Sequence, residues 1–144
     1  MSSPNRGDAA DRIHSASIHL LRRVREVDAQ AMGISAARAS ALSVLVFGGA
    51  RSLSELAQAE RVTAATMSRL VTAMEAEGFV RRYPDVNDAR AIRLEATPKA
   101  RRVLERGRAR RLELLEQLLG TATAAEIAAI GTAAHVLERA LESD

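Results

Sequence analysis

The sequence lacks cysteine and tryptophan, and its only aromatic residues are one tyrosine and two phenylalanines among 144 residues. Without cysteine, this chain has no disulfide framework, no thiolate zinc site and no cysteine-based redox switch. Because aromatic residues are so few, the core must be built mainly from Leu, Val, Ile, Met and Ala, which pack readily between helices. The composition therefore predicts a mostly α-helical fold.

Long apolar runs, catalytic motifs and metal-ligand clusters are also missing. No run approaches the roughly 18 consecutive apolar residues of a transmembrane helix, and residues 1–11 lack the apolar centre of a signal peptide. No hydrolase, metalloprotease or phosphate-loop motif is present. His14, His19 and His135 have no closely spaced partner ligands. We expect a cytoplasmic protein that is not an enzyme, needs no metal or cofactor and does not bind a membrane.

The positive charge is concentrated in one part of the chain. Residues 61–111 contain 13 basic and 6 acidic residues, a net charge of +7, whereas the rest of the chain has a net charge of −4. A strongly basic segment within a nearly neutral protein is typical of a surface that faces a polyanion. Nucleic acid is therefore the partner that the charge pattern favours.

Apolar residues recur at helical spacing in six segments, most of them bounded by capping residues or glycines. Ser52 and Glu55 form a capping-box pattern, and Thr63 can cap the next helix after a tight turn at 60–62. Gly78 is suited to end that helix. The predicted helices cover about residues 13–32, 35–47, 52–59, 63–77, 98–119 and 123–141.

After Gly78 the apolar period changes from helical to alternating. Residues 79–83 and 91–95 flank a polar turn, which predicts a β-hairpin in an otherwise helical protein. The order over residues 52–96 is helix, tight turn, helix, glycine and basic hairpin. This is the order of a winged helix-turn-helix, in which the second helix enters the major groove of DNA.

The predicted recognition helix carries small polar side chains near its N-terminus, where they can face DNA while its Met and Leu positions face the protein. The hydroxyls can contact phosphates or bases, and the helix N-terminus favours a phosphate. Arg69 is the best candidate for a guanine or phosphate contact. Capping and ordinary surface polarity would also explain the threonines. The candidate contacts of this helix are Thr63, Ala64, Ala65, Thr66, Ser68 and Arg69.

The hairpin carries four arginines, at 81, 82, 90 and 93, where contacts to phosphates or the minor groove would need them. Alternation prevents all four from facing DNA, and we expect Arg81 and Arg93 on one face with Arg82 on the other. Arg90 at the tip is the first candidate for a DNA contact. Asp88 can hold its guanidinium in a bidentate pair, or simply form the turn.

These motifs resemble the MarR (multiple antibiotic resistance regulator) family over almost the whole chain. The matching segments are Ser-Leu-Ser-Glu-Leu-Ala at 52–57, Thr-Met-Ser-Arg-Leu-Val at 66–71 and Glu-Ala-Glu-Gly-Phe-Val-Arg-Arg at 75–82. Residues 85–90 resemble the Asp-x-Arg-Asp-x-Arg wing of the family, with Asn87 in place of its first arginine. Asn87, Asp88, Arg90, Arg81 and Arg93 are accordingly the candidate DNA contacts of the wing.

The resemblance implies a homodimer whose first and last helices intertwine, with dimerisation helices at 1–33 and 98–144 and a DNA-binding lobe at 34–97. The sequence supports this independently, because the helices at 13–31 and 127–141 are apolar and lie far from the DNA-binding unit. A two-fold dimer predicts a palindromic duplex with half-sites about 34 to 36 Å apart. The predicted fold is a winged helix-turn-helix with terminal dimerisation helices.

The resemblance further implies a repressor that is released by a small lipophilic or phenolic ligand between the dimer helices and the lobe. His14, Ile18, Leu21 and Phe47 are candidates for that site, and for each of them ordinary packing in the core or on the surface is the alternative that we favour. The alternative function is a helical interaction module, with the arginine-rich stretch at 101–111 as a solvated face or a site for an acidic partner.

Overall fold

The computed structural model describes residues 5–142. Within them it contains six α-helices and one two-stranded antiparallel sheet, which confirms the predicted fold class. The elements are α1 (Arg6–Met32), α2 (Ala36–Gly48), α3 (Leu53–Ala59), α4 (Ala64–Ala76), β1 (Val80–Pro84), β2 (Ile92–Ala96), α5 (Pro98–Leu118) and α6 (Ala124–Leu141). The described residues divide into two compact units, one up to Arg111 and one from Leu112.

The helix starts follow from side-chain capping of the free amides at each N-terminus. Ser52 and Thr63 are the N-caps of α3 and α4, as the sequence predicted, and Ser35 and Thr123 cap α2 and α6 in the same way. α1 begins seven residues before Ile13, because the Asn5 side chain accepts a hydrogen bond from the Gly7 N–H at 2.9 Å and caps a more polar first turn. The spacing of apolar residues cannot predict such a turn, because the turn contains few of them.

The core of the first unit lies between α2, α3, α4, the hairpin and the start of α5. Its fully buried side chains are aliphatic or methionine, as expected from a sequence with few aromatic residues. The largest of them are Leu42, Leu45, Leu56, Met67, Met74, Leu94 and Val71. α4 and the hairpin carry the candidate DNA contacts, so this core holds the candidate interface together.

Each strand of the hairpin begins one residue later than the sequence predicted. The Phe79 N–H donates to the Met74 carbonyl at 2.8 Å, and Gly78 has a φ of 78°. These features end α4 in a Schellman motif, which uses the Phe79 amide and leaves Val80 as the first strand residue. Val80 pairs with Ala96, and Pro84 pairs with Ile92.

The register of the hairpin divides its arginines between two faces. Arg81 lies opposite Glu95 and Arg93 lies opposite Tyr83, whereas Arg82 lies opposite Leu94. Directly opposed residues share a face of an antiparallel pair, so Arg81 and Arg93 are on one face and Arg82 on the other, as predicted. Two backbone hydrogen bonds between Arg51 and Leu94, at 3.1 and 2.7 Å, join β2 to the segment before α3.

None of the six helices within residues 5–142 is, on its own, both long and apolar enough to cross a membrane. α1 and α2 meet the length and composition criteria only as a pair, and the pair is bent by 81°.

Candidate nucleic-acid interface

α3 and α4 form a helix-turn-helix through a short turn at residues 60–63. The Arg61 N–H donates to the Gln58 carbonyl and the Val62 N–H to the Ala57 carbonyl, at 3.1 and 3.0 Å. Arg61 has a φ of 54°, in the left-handed region that few non-glycine residues adopt. The turn therefore holds an exposed arginine directly before the recognition helix. Sequence reasoning counted Arg61 in the basic segment but did not single it out as a contact.

The N-terminus of α4 is closed by two threonine side chains. The Thr63 hydroxyl accepts from the Thr66 N–H at 3.2 Å and donates to the Thr66 hydroxyl oxygen at 2.9 Å. Thr63 therefore acts first as a cap. The Thr66 hydroxyl keeps its own hydrogen and can donate it to a phosphate or a base.

The two faces of α4 differ as the sequence predicted. Met67, Val71 and Met74 are buried and face the core. The opposite face carries the candidate contacts Thr63, Ala64, Ala65, Thr66 and Arg69, all of them exposed, and Ser68 is half-buried at its edge. Arg69 makes no ion pair or side-chain hydrogen bond with any residue in the range 5–142. Its guanidinium is thus available for a partner outside the chain.

Three of the four hairpin arginines are paired within the protein. Arg81 pairs with Glu95 at 2.6 Å across the hairpin, and Arg82 pairs with Glu75 on α4 at 2.7 Å. Arg93 is half-buried and contacts two carboxylates and a backbone carbonyl. Alternation could assign faces to these side chains, but their acidic partners come from residues distant in sequence.

The tip of the wing presents Arg90. Of the two roles expected for Asp88, the structure shows the turn-forming one and no pair between its carboxylate and the Arg90 guanidinium. Instead, Asp88 accepts from the backbone N–H of Arg90 at 3.0 Å, a local bond that shapes the turn. The Asp85 carboxylate accepts from the Asn87 N–H in the same way, at 2.8 Å. Among residues 5–142 the Arg90 guanidinium has no partner.

A second candidate site is a cavity of about 620 Å³ in the first unit, lined by α1, the α1–α2 turn, α2 and α5. Its apolar wall includes Met32, Val46, Phe47 and Leu104. Of the four predicted ligand contacts, Phe47 lines this cavity and is 79% exposed. The other three, His14, Ile18 and Leu21, are exposed on α1 and do not line it.

The charged part of the cavity wall is mostly basic. Arg25, Arg101, Arg108 and Arg111 lie there with Asp28 and Glu105. Arg111 is neutralised by Asp28 at 2.5 Å. The other three arginines make no ion pair or side-chain hydrogen bond within the described residues. The wall therefore combines an apolar surface with an excess of unpaired positive charge.

No group of three or more His, Asp or Glu side chains among residues 5–142 is arranged to hold a metal ion. Within residues 5–142, hydrogen bonds from Thr123 lower the pKa of Glu126, which belongs to the second unit and lies outside both candidate sites.

The sequence model of the MarR family matches residues 34–92. That range covers α2, the helix-turn-helix, β1 and the tip of the hairpin up to Ile92. No curated protein matches the chain significantly.

Several solved structures resemble the chain over nearly its full length. A transcriptional regulator from Thermotoga maritima is 24% identical, with a TM-score of 0.80, covering 92% of this chain and 96% of that chain. A MarR family protein from Bacillus stearothermophilus is 22% identical, with a TM-score of 0.78 and coverages of 97% and 99%. A MepR mutant from S. aureus, bound to an oligodeoxyribonucleotide, is 16% identical, with a TM-score of 0.73 and coverages of 92% and 97%.

At these identities the solved structures establish a shared fold, and the family match adds the sequence of the helix-turn-helix and wing. The two findings agree with the segments that carried the resemblance, from the α3 capping box to the wing motif. Residues 34–92 therefore match the MarR family model, and the chain shares its winged-helix fold with a solved MarR family protein.

Proposed function

We propose that the protein is a transcriptional regulator that binds double-stranded DNA sequence-specifically. The observation that carries this proposal is a pair of arginines without a side-chain partner in the described part of the chain, Arg69 on the exposed face of α4 and Arg90 at the wing tip. An unpaired guanidinium at each place suits base or phosphate contacts. The family match and the DNA-bound structural relative also support DNA binding.

In the proposed complex, α4 enters the major groove with its N-terminus towards the DNA. The exposed face from Thr63 to Arg69 then meets base edges and phosphates, and Ala64 and Ala65 allow close approach. Arg90 reaches a flanking minor groove or phosphate, where narrow grooves attract arginine. Arg61 in the turn adds a phosphate contact.

The protein is proposed to act as a homodimer on a palindromic site. On α1, Ile13, Ile18 and Leu21 are 46 to 48% exposed. On α6 no residue is buried, and Ile127, Ile130, Val136 and Leu137 are 41 to 49% exposed. Apolar helix faces of this extent normally mark an interface. A second copy of the chain would cover both helices, which agrees with residues 1–33 and 98–144 being dimerisation segments and 34–97 the DNA-binding lobe.

The cavity is proposed to bind the effector that releases a repressor from DNA. Its volume of about 620 Å³ is that of a small-molecule site. Its apolar wall suits a lipophilic or phenolic body, and the unpaired Arg25, Arg101 and Arg108 favour a ligand that carries a negative charge. A ligand that binds better to a dimer with mismatched lobe spacing would shift the population away from the DNA-binding state.

Selection of duplexes from a random pool, followed by titration at several salt concentrations, tests the proposal. A regulator selects a palindromic sequence, binds it as a dimer, and shows a steep negative slope of log affinity against log salt. A helical interaction module with a basic face would enrich no sequence. Absence of any enriched duplex at moderate salt would refute the regulator function, and light scattering on the protein alone measures the dimer separately.

A further inference from the structure

Arg93 joins three separate segments of the DNA-binding lobe. Its Nη2 donates to the Ala50 carbonyl at 2.8 Å, its Nη1 contacts Glu55 Oε2 at 3.4 Å and its Nε lies 3.7 Å from Asp85 Oδ2. The side chain is 28% exposed. All three nitrogens of the guanidinium thus face acceptors of the protein itself, which leaves little of the group for DNA.

The three acceptors belong to different parts of the interface. Ala50 precedes α3, Glu55 lies in the first turn of α3, and Asp85 begins the tip of the wing. Asp85 also fixes the tip backbone, because its other carboxylate oxygen accepts from the Asn87 N–H and its own N–H donates to the Ala91 carbonyl. Arg93 therefore links the first helix of the helix-turn-helix to the turn that presents Arg90.

We propose that Arg93, Glu55 and Asp85 form a latch that positions the wing tip, and that Arg93 acts through Arg90 instead of contacting DNA itself. The latch changes the expected role of the two carboxylates. An acidic side chain near a DNA interface normally repels phosphates, and its removal should strengthen binding. In the latch, Glu55 and Asp85 promote DNA binding. Without them the wing tip is less ordered in the free protein, and the entropy cost of ordering it upon binding lowers the affinity for DNA.

Glu55 offers the sharpest test. If its charge only repels phosphates, removing that charge should strengthen DNA binding, whereas removing it from the latch should weaken DNA binding. Its Oε2 also accepts from the Ser52 N–H at 2.9 Å in the α3 capping box. Glu55→Gln keeps a side-chain acceptor for that cap and removes only the charge. Glu60→Gln is the matched control, since Glu60 ends α3 and contacts the Ser40 hydroxyl but no wing residue.

The inference rests on the proposed DNA binding, and the measurement is the dissociation constant of the full-length protein for the best duplex selected by wild type. Glu55→Gln should weaken binding by about two- to fivefold, the size of a partly exposed ion pair, and Glu60→Gln should not weaken it. Arg93→Gln should lose as much affinity as Glu55→Gln, and the Glu55→Gln/Arg93→Gln double variant should lose no more than either single variant. Arg93→Lys should not recover the affinity, because an ammonium cannot reach three acceptors in a plane.

A direct phosphate contact by Arg93 predicts different results. Arg93→Lys would then restore most of the affinity, and the losses of Arg93→Gln and Arg90→Ala would add in full when the two substitutions are combined. Either result overturns the latch, as does a Glu55→Gln variant that binds as tightly as wild type or tighter. Equal thermal unfolding midpoints for the variants show that a loss is not unfolding. Failure of wild type to bind any duplex would instead overturn the proposed function, and the latch with it.

Discussion

The carboxylate of Asp88 accepts a hydrogen bond from the backbone N–H of Arg90 at 3.0 Å, and it does not pair with the Arg90 guanidinium. Asp88 thereby shapes the wing turn, while the charge of Arg90 remains unneutralised at its tip. We therefore expect separable roles, with Asp88 fixing the backbone of the turn and Arg90 making the proposed DNA contact.

We expect Arg90→Ala to weaken binding to every duplex to a similar degree and to lower the slope of log affinity against log salt by about one, as for the loss of a phosphate contact. Titrations of the selected duplex and of a scrambled duplex at four salt concentrations measure this. Asp88→Asn is the matched control, because an asparagine side chain can still accept from the Arg90 N–H. An Arg90→Ala variant with an unchanged salt slope would contradict the assigned contact.

Arg69 is expected to contribute to sequence preference, because it lies on the exposed face of α4 where side chains reach base edges. Arg69→Ala should lose about 1–3 kcal/mol of discrimination at one position of each half-site. Competition binding against single-position duplex variants measures that loss. Arg61→Ala provides the contrast, since a phosphate contact from the turn should weaken all duplexes alike. If Arg69→Ala preserves every preference of wild type, the base contact is wrong.

Local signals in the sequence were sufficient to predict most of the fold. The caps at Ser35, Ser52, Thr63 and Thr123 and the glycine at 78 act within a few residues of the helix ends that they define. For this reason the element order and the helix-turn-helix could be predicted. The start of α1 could not, because a side-chain cap by Asn5 leaves no apolar period to detect.

The candidate site was less predictable, because partners of charged side chains come from distant segments. The four wing arginines looked alike in sequence, yet Glu95, Glu75 and Glu55 pair with three of them. The Arg93–Glu55 contact spans 38 positions along the chain. Only the folded arrangement shows that the Arg90 guanidinium has no partner within residues 5–142, and only it shows which residues line the cavity.

The cavity arginines should select anionic ligands. We expect decanoate to bind the protein more tightly than decanol or decyltrimethylammonium, because Arg101 and Arg108 can bind a carboxylate. The Arg101→Gln/Arg108→Gln double variant should lose about tenfold or more in decanoate affinity by calorimetry, the scale of a charge-assisted hydrogen bond. Arg106→Gln, an exposed arginine of the same helix that does not line the cavity, should bind like wild type. Equal affinity for decanoate and decanol would refute the charge preference.

The stability of the first turn of α6 should depend on pH through the ionisation of Glu126. Its carboxylate accepts from the Thr123 N–H at 2.8 Å and from the Thr123 hydroxyl at 3.0 Å, and these bonds hold the pKa of Glu126 below its usual range. A carboxyl whose folded-state pKa is lowered stabilises the fold above its unfolded-state pKa, and this contribution is lost as pH falls through the lowered value.

Carbon-13 NMR titration of the Glu126 carboxyl measures the lowering of its pKa. Thr123→Ala should raise the pKa and let the first turn of α6 fray at a higher pH, whereas Thr123→Ser keeps the hydroxyl and should titrate like wild type. A Glu126 titration that is identical in Thr123→Ala and wild type would exclude the hydroxyl as a cause and leave the backbone N–H alone.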